Sequence, residues 1–325
     1  VNLANPEVHL AGQAAGTALT PGQRDVCAVV VTYHPDDGFE GRIRRVALQV
    51  GRVVVVDNGS NETATSRLRQ LAADPSIMLE LNSHNLGVAT ALNIGVQRAI
   101  ERGFGWVLLL DQDSYVNEDI VEELLAARDA YPDRERLAVI GSSFWDVNKE
   151  AAAQGPVRVD TLWEEASSVI TSGSLIPLAA HAVVGPFRDE FFIDHVDMEY
   201  CCRARARGLR IIKTRKPLMS HAIGAYTQHR LFGKQKWTTN HPPDRRYYIS
   251  RNDTVMLREY GNYPLGLWWL KSLRRRLQLC KRIVLYEDRK AAKVMAVAQG
   301  WWDGVFGNMG PRSDRRPKAG KAPNP

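Results

Sequence analysis

Two carboxylates one residue apart, Asp111 and Asp113, follow the uninterrupted apolar run VLLL at 107–110. Residues i and i+2 of an extended chain project to the same side, so both acids reach toward one point. Two carboxylates held there suit a hard divalent cation, Mg2+ or Mn2+, which can bridge two phosphate oxygens of a diphosphate. The alternative is a surface turn with solvated acids; a buried strand that delivers both charges to one place argues against it. A second acidic group, Asp194, Asp197 and Glu199, opens the stretch FFIDHVDMEYCCRARARGL at 191–209. Acids ahead of Arg203, Arg205 and Arg207, with Gly208 behind them, are what a helix dipole and a C-cap favour. Glu199 and Arg203 make an i, i+4 pair in the favourable order. The helix explains Asp197 less well. Beside Phe191, Phe192 and Ile193 its carboxyl is expected to have a raised pKa and to serve as a general base.

These groups need a scaffold, and the first half of the chain supplies one. VCAVVVTYH (26–34) is a β-branched apolar run, as in a strand buried on both faces, and Pro35 ends it. RVVVVDNGS (52–60), IMLELN (77–82) and WVLLLDQD (106–113) read as three more strands. Helical segments fall near 39–50, 62–73, 85–103 (ended by Gly103) and 117–130. Strands alternating with helices predict an α/β fold, a mainly parallel Rossmann-like sheet flanked by helices. In such sheets ligands bind beyond the carboxyl ends of the strands. Three of those ends are polar here: Thr32–Tyr33–His34, Asp57–Asn58–Gly59–Ser60 and Asp111–Gln112–Asp113. DNGS alone would pass for an ordinary turn; three polar ends together point to a shared cleft. Neither GxGxxG after the first strand nor GxxxxGK[ST] occurs, which argues against a dinucleotide fold and a P-loop.

The chain has 325 residues, 44% apolar and 24% charged, the balance of a folded globular protein. Its four cysteines form neither a disulfide framework nor a zinc-site pattern, so reduced thiols and a cytoplasmic setting are expected. The N-terminal stretch carries no basic segment followed by an apolar one, and 166–187 is too rich in Ser, Thr, Gly and Pro to span a membrane. Residues 203–325 hold 28 Lys and Arg against 7 Asp and Glu, leaving 15 against 29 in 1–202. The basic part is expected to face something negative: nucleic acid, an anionic membrane or phosphate-bearing ligands, unless it is simply a solvated face.

LLLDQDS (108–114), FFIDHVDMEY (191–200) and NHPPDRRYYISRN (240–252), in that order, resemble the inverting glycosyltransferases of family 2, which have the GT-A fold. Within that family they are most similar to bacterial rhamnosyltransferases, nearest the branch that adds the second rhamnose in rhamnolipid synthesis. WWDG at 301–304 sits where that branch carries a similar segment. The resemblance implies a dTDP-L-rhamnose donor and a hydroxyl acceptor, mono-rhamnolipid first and a surface polysaccharide as the alternative. It implies donor-pocket roles for Thr32, Tyr33, Asp57, Asn58, Asn85, Gly87, Asn93, Asp111, Gln112, Asp113 and Arg251. The metal falls to Asp113 and Asp111, with His221 as the histidine that often completes the site. Asp197 becomes the base, and Asp194, Glu199, Arg203 and Gly173 acceptor or supporting positions. The family usually has an acid just before the base, where this chain has Val196, so Asp194 and Glu199 compete with Asp197. Arg245, Arg246 and Arg251 would meet the diphosphate or an acidic acceptor.

Two other protein classes share some of these features. A sugar nucleotidyltransferase also uses carboxylates and a metal but needs a glycine-rich basic loop near the first strand; TYHPDDGFEG is acidic instead. A nucleic-acid-binding protein would explain the basic half but not two ordered acidic groups, and no nucleic-acid motif is recognisable. The expected organisation is a flexible arm (1–24), a GT-A domain (25–260, donor half 25–115 and acceptor half 116–260), an amphipathic helical extension (261–310) and a disordered tail (311–325). Within the extension, LWWLKSLRRRLQLCKRIVLY (267–286) reads either as a helix lying on an anionic bilayer, giving peripheral attachment at the inner face of the cytoplasmic membrane, or as a core-packing helix.

Overall fold

A computed structural model describes residues 18–146, 161–221, 227–231, 234–262 and 266–312. Most of the expected arm and tail lies outside those residues. Helix α1 (Pro21–Arg24) is capped by Thr20 and leads into strand β1 (Val26–Thr32). Then come α2 (Phe39–Ala47), β2 (Arg52–Asp57), α3 (Glu62–Leu71), β3 (Ile77–Leu81), α4 (Val88–Glu101) and β4 (Trp106–Asp111). The second half contains β5 (Tyr115–Val116), α5 (Ile120–Ala130), β6 (Leu137–Asp146), β7 (Trp163–Glu165), β8 (Ser174–Pro177), α6 (Leu178–Val184) and α7 (Val196–Ala206). It continues through β9 (Arg210–His221), a hairpin β10 (Thr227–Leu231) and β11 (Lys234–Thr238), and three helices, α8 (Pro243–Tyr260), α9 (Trp268–Tyr286) and α10 (Lys290–Phe306).

Among the described residues nine strands form the main sheet, in the order β3-β2-β1-β4-β8-β6-β9-β5 with β7 paired to β9. Strands β3, β2, β1, β4, β6 and β9 run one way, while β8, β5 and β7 oppose them. The mainly parallel α/β sheet is therefore present. What the alternating pattern of the first half did not predict is β8, a four-residue strand inserted antiparallel between β4 and β6. Helix α6 follows directly on Pro177 within the stretch 166–187.

The continuous apolar runs are explained by burial on both faces. Val26, Ala28 and Val30 of β1 face a core shared with α2, α3 and α5. Cys27 and Val29 face the other core, shared with α4, α6, α7 and α8. Parallel register then sets the polar ends side by side: Thr32 lies opposite Asp57, and Val31 opposite Asp111.

Helix α8 joins the C-terminal helices to the sheet through Val255 and Met256. Helix α10 crosses α8 closely enough that a Cβ on Gly300 would lie 2.2 Å from the Tyr247 carbonyl oxygen, and one on Gly304 2.7 Å from that of Arg251. Among the described residues no helix is long and apolar enough to cross a membrane.

Candidate active site

One cavity of about 530 Å3 opens at the carboxyl ends of β1, β2 and β4. Its β-strand side presents Thr32, Tyr33, Asn58, Asn85, Gly87, Asp111, Gln112 and Asp113. Its other wall is the segment 192–197, with Asp194, His195 and Asp197, joined by Arg245. Asp197 and the Asp111/Asp113 pair, 84 residues apart in sequence at the nearest, thus line the same space.

Each strand end is tied to its neighbour. The Gln112 side-chain oxygen accepts from Thr32 Oγ1 at 2.8 Å and from the Tyr33 amide at 2.7 Å. The Gln112 carbonyl accepts from Arg42 Nε at 2.8 Å, and Arg42 is anchored in turn on Asp36 at 2.6 Å. Gln112 is thus a stitch that fixes the two flanking acids. Behind β4, Ser172 accepts from the Asp111 amide at 3.2 Å and lies 2.6 Å from the Ser114 hydroxyl. On β2, buried Asp57 accepts from the Ser60 amide at 2.9 Å, holding the turn that presents Asn58. Asn58 Oδ1 accepts from the Leu86 amide at 2.9 Å, and its Nδ2 donates to Asn85 Oδ1 at 3.0 Å. Of DNGS only Asn58 lines the cavity; Asp57, expected in the donor pocket, is buried beneath it and holds the turn.

The opposite wall departs from ordinary backbone. Phe192, Asp194 and His195 adopt φ of 66°, 64° and 64°, each in the left-handed region that non-glycine residues avoid. Such residues cost on the order of 1–3 kcal/mol each and persist where surroundings hold them. The holders come from α4 and α8. The Val88 amide donates to the Phe192 carbonyl at 2.6 Å. Asn252 Nδ2 donates to the carbonyls of Phe191, Ile193 and Asp194 at 3.0, 2.8 and 2.8 Å. Arg245 chelates the Asp194 carboxylate, Nε at 3.1 Å and Nη2 at 3.0 Å. The segment then enters α7, whose first turn offers Asp197.

Asp197 Oδ1 accepts from the Met198 amide at 2.7 Å, and Oδ2 from the Thr171 amide at 3.3 Å. Burial pushes its carboxyl above the ordinary range, and these two amides only partly offset that. A base poised above the usual carboxylate pKa is what proton abstraction from an alcohol near neutral pH requires. Phe192 and Ile193 line the same cavity as Asp197.

Several expected positions lie elsewhere. Arg251 is fully buried and donates to the carbonyls of Glu190 at 2.8 Å and Phe191 at 3.0 Å, so it supports the wall from behind and does not line the donor pocket. Arg246 pairs with buried Glu287 instead of a diphosphate. Asn93 is also outside the cavity: its side chain splints Phe187, accepting from the amide at 2.9 Å and donating to the carbonyl at 2.8 Å. Glu199 is buried against Arg203 at 2.8 Å and Tyr260 at 2.7 Å, so the helix pair is structural. That removes Glu199 as a competitor for the base. Gly173 sits behind β4, where a Cβ would meet Ser142 and the Met219 sulfur at 2.8 and 2.9 Å. His221 is the last residue of β9, paired through its backbone with Asp146, and its side chain lies outside the described residues.

The sequence reading also missed contributors. Ser172, Thr171 and Arg42 carry no signal that separates them from ordinary loop and helix residues. His195 faces Asp253 at 3.9 Å, and its imidazole pKa is lowered by burial. Among the described residues no cluster of three or more His, Cys, Asp or Glu forms a ready-made metal cage. The donor set that does occur, two carboxylates opening on a cavity, fits a hard cation whose remaining ligands are phosphate and water oxygens.

A Rossmann-like sheet with two acids at the end of its fourth strand, facing a third acid at a helix start, defines a glycosyltransferase of the GT-A class. Comparison with known proteins agrees. A family model for glycosyl transferase family 2 matches residues 27–167. The dTDP-rhamnosyl transferase RfbF of Shigella flexneri is 30% identical over 258 residues, covering 75% of this chain and 83% of that protein. The chain therefore belongs to glycosyl transferase family 2. Among solved structures, S. aureus TarS 1-349 in complex with UDP-GlcNAc superposes with a TM-score of 0.55 at 13% identity, covering 86% of this chain and 81% of that one. The mannosyltransferase PcManGT of Pyrobaculum calidifontis, in complex with GDP-Man and Mn2+, gives 0.54 at 14% identity, covering 88% of each chain. At such identities these two speak for the fold.

Proposed function

We propose that this glycosyltransferase moves L-rhamnose from dTDP-L-rhamnose to a hydroxyl acceptor, with inversion at the anomeric carbon and with a divalent cation. The observation that carries the chemistry is the single cavity shared by Asp111, Asp113 and Asp197. The sugar is supported by the similarity to the Shigella dTDP-rhamnosyl transferase. The metal is supported by the hard-oxygen donor set and by the Mn2+ in the structurally similar mannosyltransferase. Mono-rhamnolipid is the acceptor favoured by the motif resemblance, and an enzyme acting on it would work in the cytoplasm, at the inner face of the membrane. The four cysteines, all unpaired, suit a reducing compartment.

Asn58, Asn85 and Gly87 floor the nucleotide half, and Thr32 and Tyr33 border it. Mg2+ or Mn2+ on Asp111 and Asp113 would supply positive charge to a departing diphosphate. Asp197 accepts the proton of the acceptor hydroxyl. The acceptor oxygen forms its bond to the anomeric carbon as the bond from that carbon to the diphosphate oxygen breaks, and dTDP leaves. One displacement converts the β-linked donor to an α-rhamnoside.

Calorimetric titration of dTDP-L-rhamnose tests the donor half. With Mn2+ present, Asp113→Ala is expected to weaken donor binding at least about 10-fold, the scale of losses at metal sites. Without the metal, wild type and variant should bind alike. Unchanged affinity in the presence of Mn2+ would remove Asp113 from the metal site.

A further inference from the structure

Helix α9 is turned the opposite way from a core-packing helix. It buries Ser272, Arg276 and Ile283 and exposes Leu270, Leu277 and Val284 at 46%, 63% and 50%. Those three recur every seven residues and make one apolar stripe along the outer face. Arg274 and Lys281, also seven apart, run beside the stripe, with Lys271 and Arg282 next to them, and all four are exposed. The helix holds six Lys and Arg and no acid. At its N-terminal end an open concavity of about 550 Å3 is lined by Leu267 and Leu270 together with Lys271, Arg274 and Arg275.

We propose that the outer face of α9 docks on an anionic phospholipid bilayer, its apolar stripe entering the headgroup boundary and its flanking cations, with the concavity, meeting lipid phosphates. A second copy of the chain is the obvious competitor for a heptad stripe. Pairing two α9 helices through it would bring Arg274 and Lys281 of one copy against those of the other, with no acid on the helix to compensate. An anionic surface reverses that penalty into attraction, and long basic side chains can lay their stems along the stripe while their charges reach phosphates. The helix lies on the bilayer rather than crossing it.

The docking helix is also fixed to the acid-bearing wall. Arg275 donates to Asp253 of α8 at 2.7 Å, and Arg276 pairs with the same carboxylate. Asp253 follows Asn252, the residue that holds the carbonyls of Phe191, Ile193 and Asp194. A bilayer under α9 therefore sits against the same helix that shapes the acceptor side, which suits an acceptor with its hydroxyl at a membrane surface. That purpose rests on the rhamnosyl-transfer reading; the docking itself does not.

Sedimentation with vesicles of phosphatidylcholine alone, and of phosphatidylcholine with phosphatidylglycerol, tests it on the full chain. Binding should be at least about 10-fold tighter to the anionic vesicles and should weaken as salt is raised. Arg274→Glu with Lys281→Glu should reduce it roughly 10-fold or more, and Leu270→Ser with Leu277→Ser should reduce it at unchanged charge. Donor affinity measured on the same variants should stay at the wild-type value, which shows that they fold. Absent or equal binding to the two vesicle types would overturn the proposal. So would a dimer in sedimentation velocity that Leu277→Ser dissociates. Neither result bears on glycosyl transfer, because donor binding is read separately.

Discussion

Asp197→Asn should lower transfer by on the order of 10²–10⁴-fold, the range that general-base catalysis supplies, while dTDP-L-rhamnose binds with nearly wild-type affinity. The two carboxylate oxygens rest on the Met198 and Thr171 amides, and the asparagine side chain has the size to occupy the same place. The asparagine oxygen can keep the shorter bond from the Met198 amide, while its NH2 gives up the longer one from Thr171 together with the proton-accepting function. The pH dependence gives a second readout. Burial raises this carboxyl above the ordinary value of 3.8. Since the base must be ionised, the rate should fall as pH drops through the raised pKa, above where an exposed aspartate would titrate. The variant should lose that limb. Stability moves the other way. A folded-state pKa raised above the unfolded value means that folding favours the protonated form, so stability is fully present below the unfolded pKa and is lost as pH rises through the folded one. At neutral pH the removal of the buried charge offsets the lost Thr171 contact, so the asparagine variant should melt near the wild-type temperature. A variant with near-normal turnover, or one that loses activity together with stability, would contradict the assignment.

Gly87→Ala is expected to damage both halves of the site through one methyl group. Gly87 has φ 90° and ψ 159°, a conformation essentially confined to glycine. A Cβ there would lie 2.6 Å from the Phe192 ring and 2.7 Å from its carbonyl oxygen, and the latter is backbone already bonded to Val88. Backbone strain and overpacking together should cost about 3 kcal/mol. The displaced parts are the donor floor at Asn85–Val88 and the left-handed segment that leads to Asp197. Urea denaturation should show the loss, and both donor affinity and turnover should fall. A variant as stable and active as wild type would mean that the contact between α4 and this segment is unimportant.

The parallel half of the sheet was legible because its strands are buried on both faces. The run of valines in β1 and β2 and the leucines of β4 leave little other reading. Strand β8 was not, since four residues enclosed by Ser, Thr and Gly carry no distinguishing period. The three polar strand ends and Asp197 were legible because acids next to apolar runs stand out. The left-handed backbone of Phe192, Asp194 and His195 was invisible, because no glycine marks it and its support, Asn252, is about 60 residues away. Arg251 was misread for a related reason. A guanidinium offers the same five donors to a diphosphate and to backbone carbonyls, and only the fold shows that it meets Glu190 and Phe191. Helix α9 stayed ambiguous in sequence because two of its three buried residues are polar: Ser272 and Arg276 go inward, the latter to reach Asp253, leaving Leu270 and Leu277 outside.

The configuration of the product tests the central claim most directly. The protein would be incubated with β-linked dTDP-L-rhamnose, Mn2+ and mono-rhamnolipid, and the new linkage examined by NMR before any equilibration. A single displacement, with Asp197 as base facing the donor held at Asp111 and Asp113, predicts an α-rhamnoside. A β-rhamnoside would mean two displacements or frontal attack, and the arrangement of acids described above would then have been assigned the wrong chemistry.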